Sequence, residues 1–436
     1  MAPRHQAPRG TRDLLPGEIE RWQWVEARAR GVLERYGYHE IRTPEFEEYE
    51  LFARTSGESS DVVQKEMYRF QDLGDRDLAL RPEGTAGVCR AYLEHGLGGR
   101  ARIHRLWYLG PMFRYGRPQK GRYRQFWQIG AEVIGTPAPG ADVEVIALFV
   151  DLFAAWGMPN LTVAVNSVGT PATREAYGRR LLAWLAPVRD RLSADSRRRL
   201  ETNPLRVLDT KDPGEQALLR GEGWPADPGP LPRMLDALDD ESRAHFGAVL
   251  DGLGRLGIAH EIDHGLVRGL DYYTRTAFEV HDRTLGAQSA LGGGGRYDGL
   301  IEALGGPATP GVGFSIGIDR TVMVLEERGL AGGARPAALY VAAMDGTRGE
   351  ALALVRRLRQ RFAVDVDLEQ RGLGAQMKAA AKGGARWLLL LGEDEWQRNE
   401  VVLRDLADGT QQPVPIARLD DELQARLGSG EPTRTA

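Results

Sequence analysis

A basic loop between two strand-like stretches contains the residues of this chain that are best suited to chemistry. Residues 105–133 alternate apolar and polar positions on either side of that loop, which is typical of a β-hairpin. Between Arg114 and Arg124 there are five basic residues and no acidic one, so we expect a polyphosphate or a nucleic acid to bind there. Because side chains alternate across a strand, one face should form a ligand floor, with a glycine leaving room between its amide and its carboxylate: Arg124, Phe126, Gln128, Gly130 and Glu132. The hairpin therefore predicts a site for ATP and a small ligand.

Arginines from separate segments are candidates for the phosphate contacts. A guanidinium pairs bidentately with phosphate and stays charged at physiological pH. A surface salt bridge is the alternative for any single arginine, but each candidate lies at an expected strand end or helix start: Arg114, Arg122, Arg268 and Arg320. The four glycines at 292–295, followed by Arg-Tyr-Asp-Gly, allow either a flexible loop or a close backbone approach to a ligand.

Three familiar ATP-binding patterns do not fit this sequence. A P-loop needs Lys and then Ser or Thr after its second glycine, whereas Arg122 and Tyr123 follow Gly121. The glycines at 292–295 do not match the dinucleotide-binding pattern, and the sequence contains no protein-kinase signature set. What remains is a mainly antiparallel sheet whose strands present arginines to a ligand.

Composition limits the class of protein. For 436 residues we expect two or three domains, and 42% hydrophobic with 27% charged residues is typical of a globular protein. The single cysteine, Cys89, excludes an internal disulfide and a cysteine-clustered zinc site. A net charge of −4 argues against indiscriminate nucleic-acid binding but allows a local basic patch for one structured RNA. The sequence has neither a bilayer-spanning apolar run nor a signal-peptide core, so we expect no membrane association and a cytoplasmic location.

Apolar spacing and chain breakers predict the elements around the hairpin. We expect a helix at 17–36, a strand at 39–43, a strand, loop and helix over 78–95, a helix near 141–156, a helical insertion over about 171–260, a strand at 266–280, and a strand and helix over 312–327. A Gly/Pro-rich linker at 329–335 then leads to residues 336–430, where alternating strands and helices predict a three-layer α/β domain. Residues 431–436 should form a disordered tail.

The motifs of the chain resemble those of the histidyl-tRNA synthetases, a family of class II aminoacyl-tRNA synthetases, from residue 8 to about residue 406. Three loose patterns specify only the class: residues 41–44 resemble motif 1, residues 113–132 motif 2 and residues 311–320 motif 3. Two others point to histidine, moderately for Arg-Pro-Glu-Gly-Thr at 81–85 and strongly for Leu-Val-Arg-Gly-Leu-Asp-Tyr-Tyr-Thr-Arg-Thr at 266–276. The resemblance implies an α+β catalytic domain over residues 1–328 and an anticodon-binding α/β domain at 336–430.

The resemblance also implies a reaction and roles for named residues. Histidine and ATP, with Mg²⁺, would give histidyl-adenylate, and the histidyl group would pass to the 3′ end of tRNA(His). By family analogy, Arg114 and Arg320 clamp the α- and γ-phosphates of a bent ATP, Arg122 joins them, and Arg268 stabilises charge growing on the α-phosphate. The histidine ligands expected from the resemblance are Glu83, Thr85, Gln128, Glu132, Tyr272 and Tyr273. No bound structural metal is expected.

The physics of an imidazole agrees with that assignment. Each ring nitrogen can donate or accept a hydrogen bond, so Glu132 on one side and Tyr273 on the other could satisfy both. A buried site built in this way can discriminate by about 10⁴ to 10⁵ without editing, because an analogue that lacks a nitrogen leaves polar groups unpaired. Ordinary strand packing is the alternative for Tyr272 and Tyr273.

The remaining expectations concern RNA, assembly and departures from the family pattern. Arg117 and Gln119 should lie near the tRNA acceptor end, and motif 1 implies a homodimer. Gly116 stands where the family usually has Glu, which puts a contact from that carboxylate to ATP or RNA in doubt. Trp127 stands where His is common, and we expect only packing to change.

Two other functions are alternatives to the synthetase. One is the regulatory subunit of ATP phosphoribosyltransferase, a non-catalytic relative on the same catalytic fold. Such paralogues generally lack the C-terminal domain and parts of motif 2, whereas this chain has both. The other is a stress-sensing domain that binds uncharged tRNA, which would normally be fused to a kinase. The motifs favour the enzyme.

Overall fold

The computed structural model describes residues 5–57, 60, 62–118, 120–210, 212–267, 269–281, 290–333 and 339–427. Contacts divide the chain into two compact units, Met1–Gly332 and Gly333–Ala436. Two predicted site residues, Gln119 and Arg268, and the tail at 431–436 lie outside the described residues. Among the described residues, no helix has the length and apolar character needed to cross a membrane.

The first unit is built on a large sheet. Its described strands are β1 His39–Glu40, β2 Phe46–Glu48, β3 Arg69–Gln71, β4 Asp77–Leu80, β5 His104–Phe113, β6 Gln125–Ile134, β7 Val163–Ser167, β8 His260–Ile262, β9 Thr274–His281, β10 Ala290–Arg296 and β11 Gly311–Gly317. Eight of them form one sheet in the order β1-β5-β6-β11-β10-β9-β7-β8, and β2-β4-β3 form a small one. In the large sheet only β1/β5 and β7/β8 pair in parallel. The predicted mainly antiparallel sheet is confirmed.

Helices cover this sheet and provide its core. In chain order they are α1 Ile19–Arg35, α2 Tyr49–Ser56, α3 Thr85–Glu94, α4 Pro139–Ala155, α5 Pro171–Leu185, α6 Ala194–Thr202, α7 Pro213–Leu219, α8 Asp240–Arg255, α9 Leu300–Ala303 and α10 Ile318–Glu327. Helix α4 is apolar on most of its surface because it lies between the sheet and its helical neighbours. Its Phe149 packs edge-to-face against Phe278 of β9 and Phe314 of β11, at ring-centroid distances of 5.5 and 5.0 Å.

Helices α5 to α8 form the predicted helical insertion, which has a core of its own. Tyr177, Leu181, Leu200 and Val207 are buried together there. Thr170 caps α5 by accepting from the amide of Thr173, and Pro171 follows at the first helical position, where its missing N–H costs nothing.

The second unit is a small α/β domain with helices against both faces of one sheet. Its described strands are β12 Leu339–Ala343, β13 Val364–Val366, β14 Trp387–Leu391, β15 Glu400–Asp405 and β16 Gln411–Pro415, in the order β13-β12-β14-β15-β16. Its described helices are α11 Arg348–Leu358, α12 Leu373–Lys382, α13 Glu393–Gln397 and α14 Leu419–Leu427. Apolar side chains of β12 alternate between two cores, with Leu339 and Val341 on one face and Tyr340 and Ala342 on the other. The predicted α/β domain is confirmed.

Two predicted features differ from the structure. The strand expected over 266–280 begins only at Thr274, and Arg275 then adopts the left-handed backbone region (φ +51°). The glycine run at 292–295 is neither a loop nor a turn, because it lies inside β10 between β9 and β11. A Cβ at Gly294 would overlap the backbone of β11, so the close approach that requires glycine is between strands.

Candidate active site

A cavity of about 400 Å³ opens on the face of the large sheet. It lies over β6, β9, β10 and β11, at the motif 2 loop and the start of α10. The structure brings these predicted site residues to its wall: Glu83, Thr85, Arg114, Arg117, Arg122, Gln128, Tyr272, Tyr273 and Arg320. Glu132 lies behind the wall. One site therefore unites residues that are more than 200 positions apart in the sequence.

One end of the cavity is cationic. The Nε of Arg114 donates to the carbonyl of Pro82 at 2.8 Å, and its guanidinium lies 5.5 Å from the ring centroid of Phe126. Arg320 donates to the carbonyl of Ala290 at 2.6 Å. Burial lowers the pKa of Arg114, and burial together with nearby Arg122 lowers the pKa of Arg320. Three guanidiniums that repel one another at one end favour an anion with several negative charges.

A further arginine, Arg12, lies behind the cationic end and contacts the residues around it. Asp319 accepts from the amide of Trp127 at 2.9 Å and from Arg12 at 3.4 Å. The Arg12 guanidinium lies 4.7 Å from the ring centroid of Tyr123, next to Arg122 in the motif 2 loop. Asp319 precedes Arg320 at the start of α10, so Arg12 ties the N-terminal segment to both motif 2 and motif 3. Sequence reasoning did not identify Arg12.

The wall next to Arg114 leads into helix α3. Glu83 accepts from the amides of Thr85 and Ala86 at 2.6 and 2.9 Å, so its carboxylate caps the helix. Burial raises the pKa of Glu83, although these amides oppose the shift. Pro82 between Arg81 and Glu83 prevents a helical start before this cap, since proline disfavours the helical conformation of the residue before it.

Glu132 lies directly behind that wall and has no exposed surface. One carboxylate oxygen accepts from Thr85 Oγ1 and the other from the phenol of Tyr297, both at 2.7 Å. Burial raises the pKa of Glu132 to about 8, despite both hydrogen bonds.

Aromatic and amide side chains complete the buried end. The rings of Tyr272 and Tyr273 are 4.7 Å apart, and Tyr297 lies 6.0 Å from Tyr272. Burial raises the pKa of Tyr272 and of Tyr297 well above the usual range, so both remain phenols. The buried Oε1 of Gln128 has no hydrogen-bond partner among the atoms of the described residues, which marks a place for a ligand donor.

Tyr297 is the main site residue that sequence reasoning missed. The sequence motif at 296–299 predicts a close approach of the backbone to a ligand, whereas the group that it contributes to the site is a phenol. Arg296 is fully buried in an ion pair with Asp142 and donates to the carbonyl of Thr136 at 3.0 Å. This buried pair fixes the chain beside Tyr297. In the sequence, the signal for this role is a tyrosine between two charged residues directly after a strand.

Two expectations about the hairpin floor are wrong. Strand β6 begins at Gln125, so Arg124 precedes the regular alternation and stacks on Tyr115 at 3.7 Å instead of lining the cavity. Its amide donates to the carbonyl of Gly10 at 2.7 Å. Gly130 does not leave room for a ligand, because the ring of Tyr108 occupies the space where its side chain would be. Tyr108 is the direct cross-strand partner of Gly130, and the missing side chain admits that ring.

The structure shows which residues surround Gly116 and Trp127, the two departures from the family pattern. A Cβ on Gly116 would lie 3.7 Å from an oxygen of Glu66, which also lines the cavity. A carboxylate thus borders this part of the cavity, although it comes from another segment. Trp127 packs edge-on against Trp22 of α1, with ring centroids 6.5 Å apart.

Fold and cavity together define a class II aminoacyl-tRNA synthetase: an antiparallel sheet presents the arginines of motifs 2 and 3 to one ligand site. The histidyl-tRNA synthetase family model matches residues 10–174 and 205–321, and an anticodon binding domain model matches residues 338–426. The chain belongs to the histidyl-tRNA synthetase family.

Similar proteins agree along the whole chain. A histidine–tRNA ligase from Thermosynechococcus vestitus is 49% identical over 418 residues, with 96% of each chain covered. One from Synechocystis sp. is 48% identical and covers 97% of this chain and 93% of its own. The crystal structure of apo S. aureus histidyl-tRNA synthetase superposes with a TM-score of 0.79 at 36% identity, covering 96% of this chain and 99% of that one. The regulatory-subunit alternative is not better supported.

Proposed function

We propose that this chain is a histidine–tRNA ligase that binds ATP at the cationic end of the cavity and histidine at the buried end. It activates L-histidine with ATP to histidyl-adenylate and transfers the histidyl group to the 3′ end of tRNA(His). The observation that carries the proposal is the difference between two parts of one cavity. Three arginines line one part, and Thr85 and Tyr297, whose hydroxyl groups donate to the buried Glu132 behind the wall, line the other.

At the cationic end the arginines act as fixed positive charges. Arg114 binds the α-phosphate and Arg320 binds the γ-phosphate. Arg122, in the motif 2 loop, adds a third positive charge to the phosphate site. Because Arg114 and Arg320 are held by the carbonyls of Pro82 and Ala290, little reorganisation is needed when charge develops in the transition state. Arg268 is assigned the α-phosphate side opposite Arg114 from the family motif alone.

Bound together with ATP, Mg²⁺ would neutralise phosphate charge. Of the four acidic residues that line the cavity, Glu66 and Glu279 have no other role in this proposal, and their hard-oxygen donors fit an ion that keeps most of its ligands from phosphates and water. Among the described residues, no group of three or more acidic, His or Cys side chains is arranged as a metal site.

At the buried end, histidine replaces hydrogen bonds that the protein makes to itself. Its ammonium group meets the unpartnered Oε1 of Gln128 and the wall near Glu83 and Thr85. Its ring lies between Tyr273 and Glu132, with Tyr272 alongside, and one ring N–H takes over a bond that Thr85 or Tyr297 donates to Glu132 in the structure. An amino acid without that N–H could not replace either bond, because Thr85 and Tyr297 would both keep donating to Glu132, and this is the basis of specificity.

The tRNA and the second protomer meet other parts of the chain. Arg117 and Gln119 of the motif 2 loop are assigned to the acceptor end, and residues 336–430 to the anticodon. For a homodimer, the small sheet offers exposed apolar side chains at Phe46 and Phe70, and the connection between β3 and β4 offers another at Leu73. Arg81 donates to the carbonyls of Thr43 and Pro111, at 2.9 and 2.8 Å, and so links motif 1 to the strand that leads into motif 2. Sedimentation analysis tests the dimer.

Amino-acid-dependent exchange of pyrophosphate into ATP tests the function. We expect exchange with histidine and none above background with the other amino acids. Exchange that is absent with histidine would contradict the enzyme and favour the regulatory alternative. Deleting residues 333–436 should weaken tRNA charging far more than exchange, and equal losses would contradict the anticodon assignment.

A further inference from the structure

The described residues of the segment 266–273, which carries the histidine motif, are held mainly by side chains and not by a strand ladder. Asn166 of β7 donates to the carbonyl of Leu266 at 3.0 Å, and Arg206 donates to the carbonyl of Gly269 at 3.1 Å. Val267 packs against the core of the helical insertion. Since β9 begins only at Thr274, the conformation of the preceding wall depends on these side-chain donors.

Arg174 makes the most direct of these connections. It lies in the first turn of α5, and its Nη1 donates to the carbonyl of Tyr273 and, at 3.3 Å, to that of Asp271. One guanidinium thus holds the backbone on both sides of Tyr272. The helix that carries Arg174 is itself fixed, because Thr173 Oγ1 donates at 3.1 Å to Asp239, the cap of α8.

Asp271 connects the same segment to two further elements. Asn203, just after α6, donates to Asp271 Oδ1 at 2.9 Å. On the other side, the carboxylate lies against Gly57 at the end of α2, where a Cβ would overlap it and where φ is +83°. The Asp271 side chain therefore joins the insertion to the catalytic domain.

The segment forms a thin wall between two cavities. Leu270 and Tyr273 line the 400 Å³ cavity of the active site, and both also line a second cavity of about 370 Å³. Arg174, Asn203 and Arg206 lie on the far side of this wall, in the second cavity. The imidazole-binding side of the wall thus has its support in the insertion, and no contact of Arg174 with the substrate is needed.

We propose that Arg174 is a positioning residue for histidine, which sets the Tyr272–Tyr273 wall through the two backbone carbonyls that it binds. The inference rests on the assignment of the buried end to histidine. Without Arg174 the wall would populate other conformations, and the apparent affinity for histidine would fall by the fraction that remains competent. The ATP end has its own anchors, at Pro82 and Ala290, and should be unaffected.

Exchange kinetics of the full-length chain test this proposal, with each substrate varied in turn. We expect Arg174→Met, which keeps the apolar stem, to raise the KM for histidine about tenfold or more, the scale of losing a charge-assisted hydrogen bond. The KM for ATP should stay within about twofold of wild type. Arg174→Lys, which retains a donor, should recover part of the loss. Arg179→Met is the matched control, since Arg179 is an exposed arginine of the same helix that pairs with Glu175.

A second variant keeps the test decisive if Arg174→Met folds poorly. Asn203→Leu removes the bond to Asp271 and should raise the KM for histidine in the same selective way, by a smaller factor. Unchanged KM values in both variants, or equal increases for histidine and ATP, would overturn the proposal. The wild-type protein is measured first, so histidine-dependent exchange there separates failure of this inference from failure of the proposed function.

Discussion

The two ends of the active-site cavity differ in how their charge is fixed. At the end proposed for ATP, called the ATP end, guanidiniums that cannot lose their protons at physiological pH are anchored to backbone carbonyls, and Arg122 remains exposed. At the end proposed for histidine, called the histidine end, Glu132 is fully buried, its pKa is raised to about 8, and its partners are hydroxyl groups. The first end presents the same charge at any physiological pH, whereas the second changes its charge with protonation and with the ligand.

This difference assigns different tasks to the two ends. Fixed cations stabilise charge that develops on phosphate, so their loss should act on the rate of activation. A buried carboxyl with two donated hydrogen bonds discriminates between ligands, so its loss should act on histidine affinity. Variants at the ATP end should therefore change the activation rate or the KM for ATP, and variants at the histidine end should change the KM for histidine.

The largest effect is expected at the ATP end. Arg114→Gln removes the cation that we assign to the α-phosphate but keeps a polar side chain, and we expect kcat for exchange to fall by roughly 10³-fold, the upper range for losing one electrostatic donor. Steady-state exchange measures it. Arg105→Gln is the control, because Arg105 lies on the same hairpin but pairs with Glu144 at 2.7 Å. A decrease in kcat of less than tenfold would show that Arg114 is not part of the catalytic machinery.

A smaller, selective effect is expected at the histidine end. Glu132→Gln keeps the shape of the side chain but places an amide N–H against one of two hydroxyl donors. We expect the KM for histidine to rise by about 10²-fold, the scale of mispairing a buried polar group, with the KM for ATP near wild type. Equal changes in both constants would show that the two ends are not independent.

Tyr297→Phe should have a milder effect of the same kind. The change removes one of the two hydroxyls that bind Glu132 and leaves the other, so the KM for histidine should rise about tenfold. Tyr177→Phe is a suitable control, since it deletes a phenol that donates to the carbonyl of Pro232 at 2.9 Å in the insertion. If both variants change the KM for histidine alike, the effect is on stability and not on the site.

A fourth effect is on the pH dependence of stability. The pKa of Glu132 in the folded protein, about 8, is above its ordinary value of 4.5, so its contribution is complete below pH 4.5 and is lost as pH rises through about 8. Between pH 5 and 8 the wild type should therefore lose stability relative to Glu132→Gln, by the order of a few kcal/mol. Thermal unfolding of both proteins across this range measures it. Parallel pH profiles would contradict the raised pKa.

The same contrast explains what the sequence could predict. Alternation and helical spacing identified β5, β6, α1, α4 and the C-terminal α/β unit, because these elements bury one regular face. Charged and aromatic residues of known motifs were brought to one cavity as expected. Family membership and the ligase function are confirmed, whereas the individual site roles stay predictions.

The predictions that were wrong concern residues whose contacts come from segments far away in the sequence. The strand expected over 266–280 is shortened, because side chains of β7 and of the insertion, such as Arg174, take the carbonyls that a ladder would use. Arg124 does not line the predicted floor of the ligand site, because its backbone amide donates to the N-terminal segment. Gly130 accommodates a ring from the neighbouring strand, and Tyr297 reaches Glu132 across the sheet. None of these partners is visible in local periodicity.

Two-substrate exchange kinetics on one variant from each end test the central claim most directly. Arg320→Gln should raise the KM for ATP and leave the KM for histidine near wild type, because Arg320 is assigned to phosphate alone. Glu132→Gln should do the reverse. Two variants that each shift both constants by the same factor would contradict a cavity with separate ends for ATP and histidine.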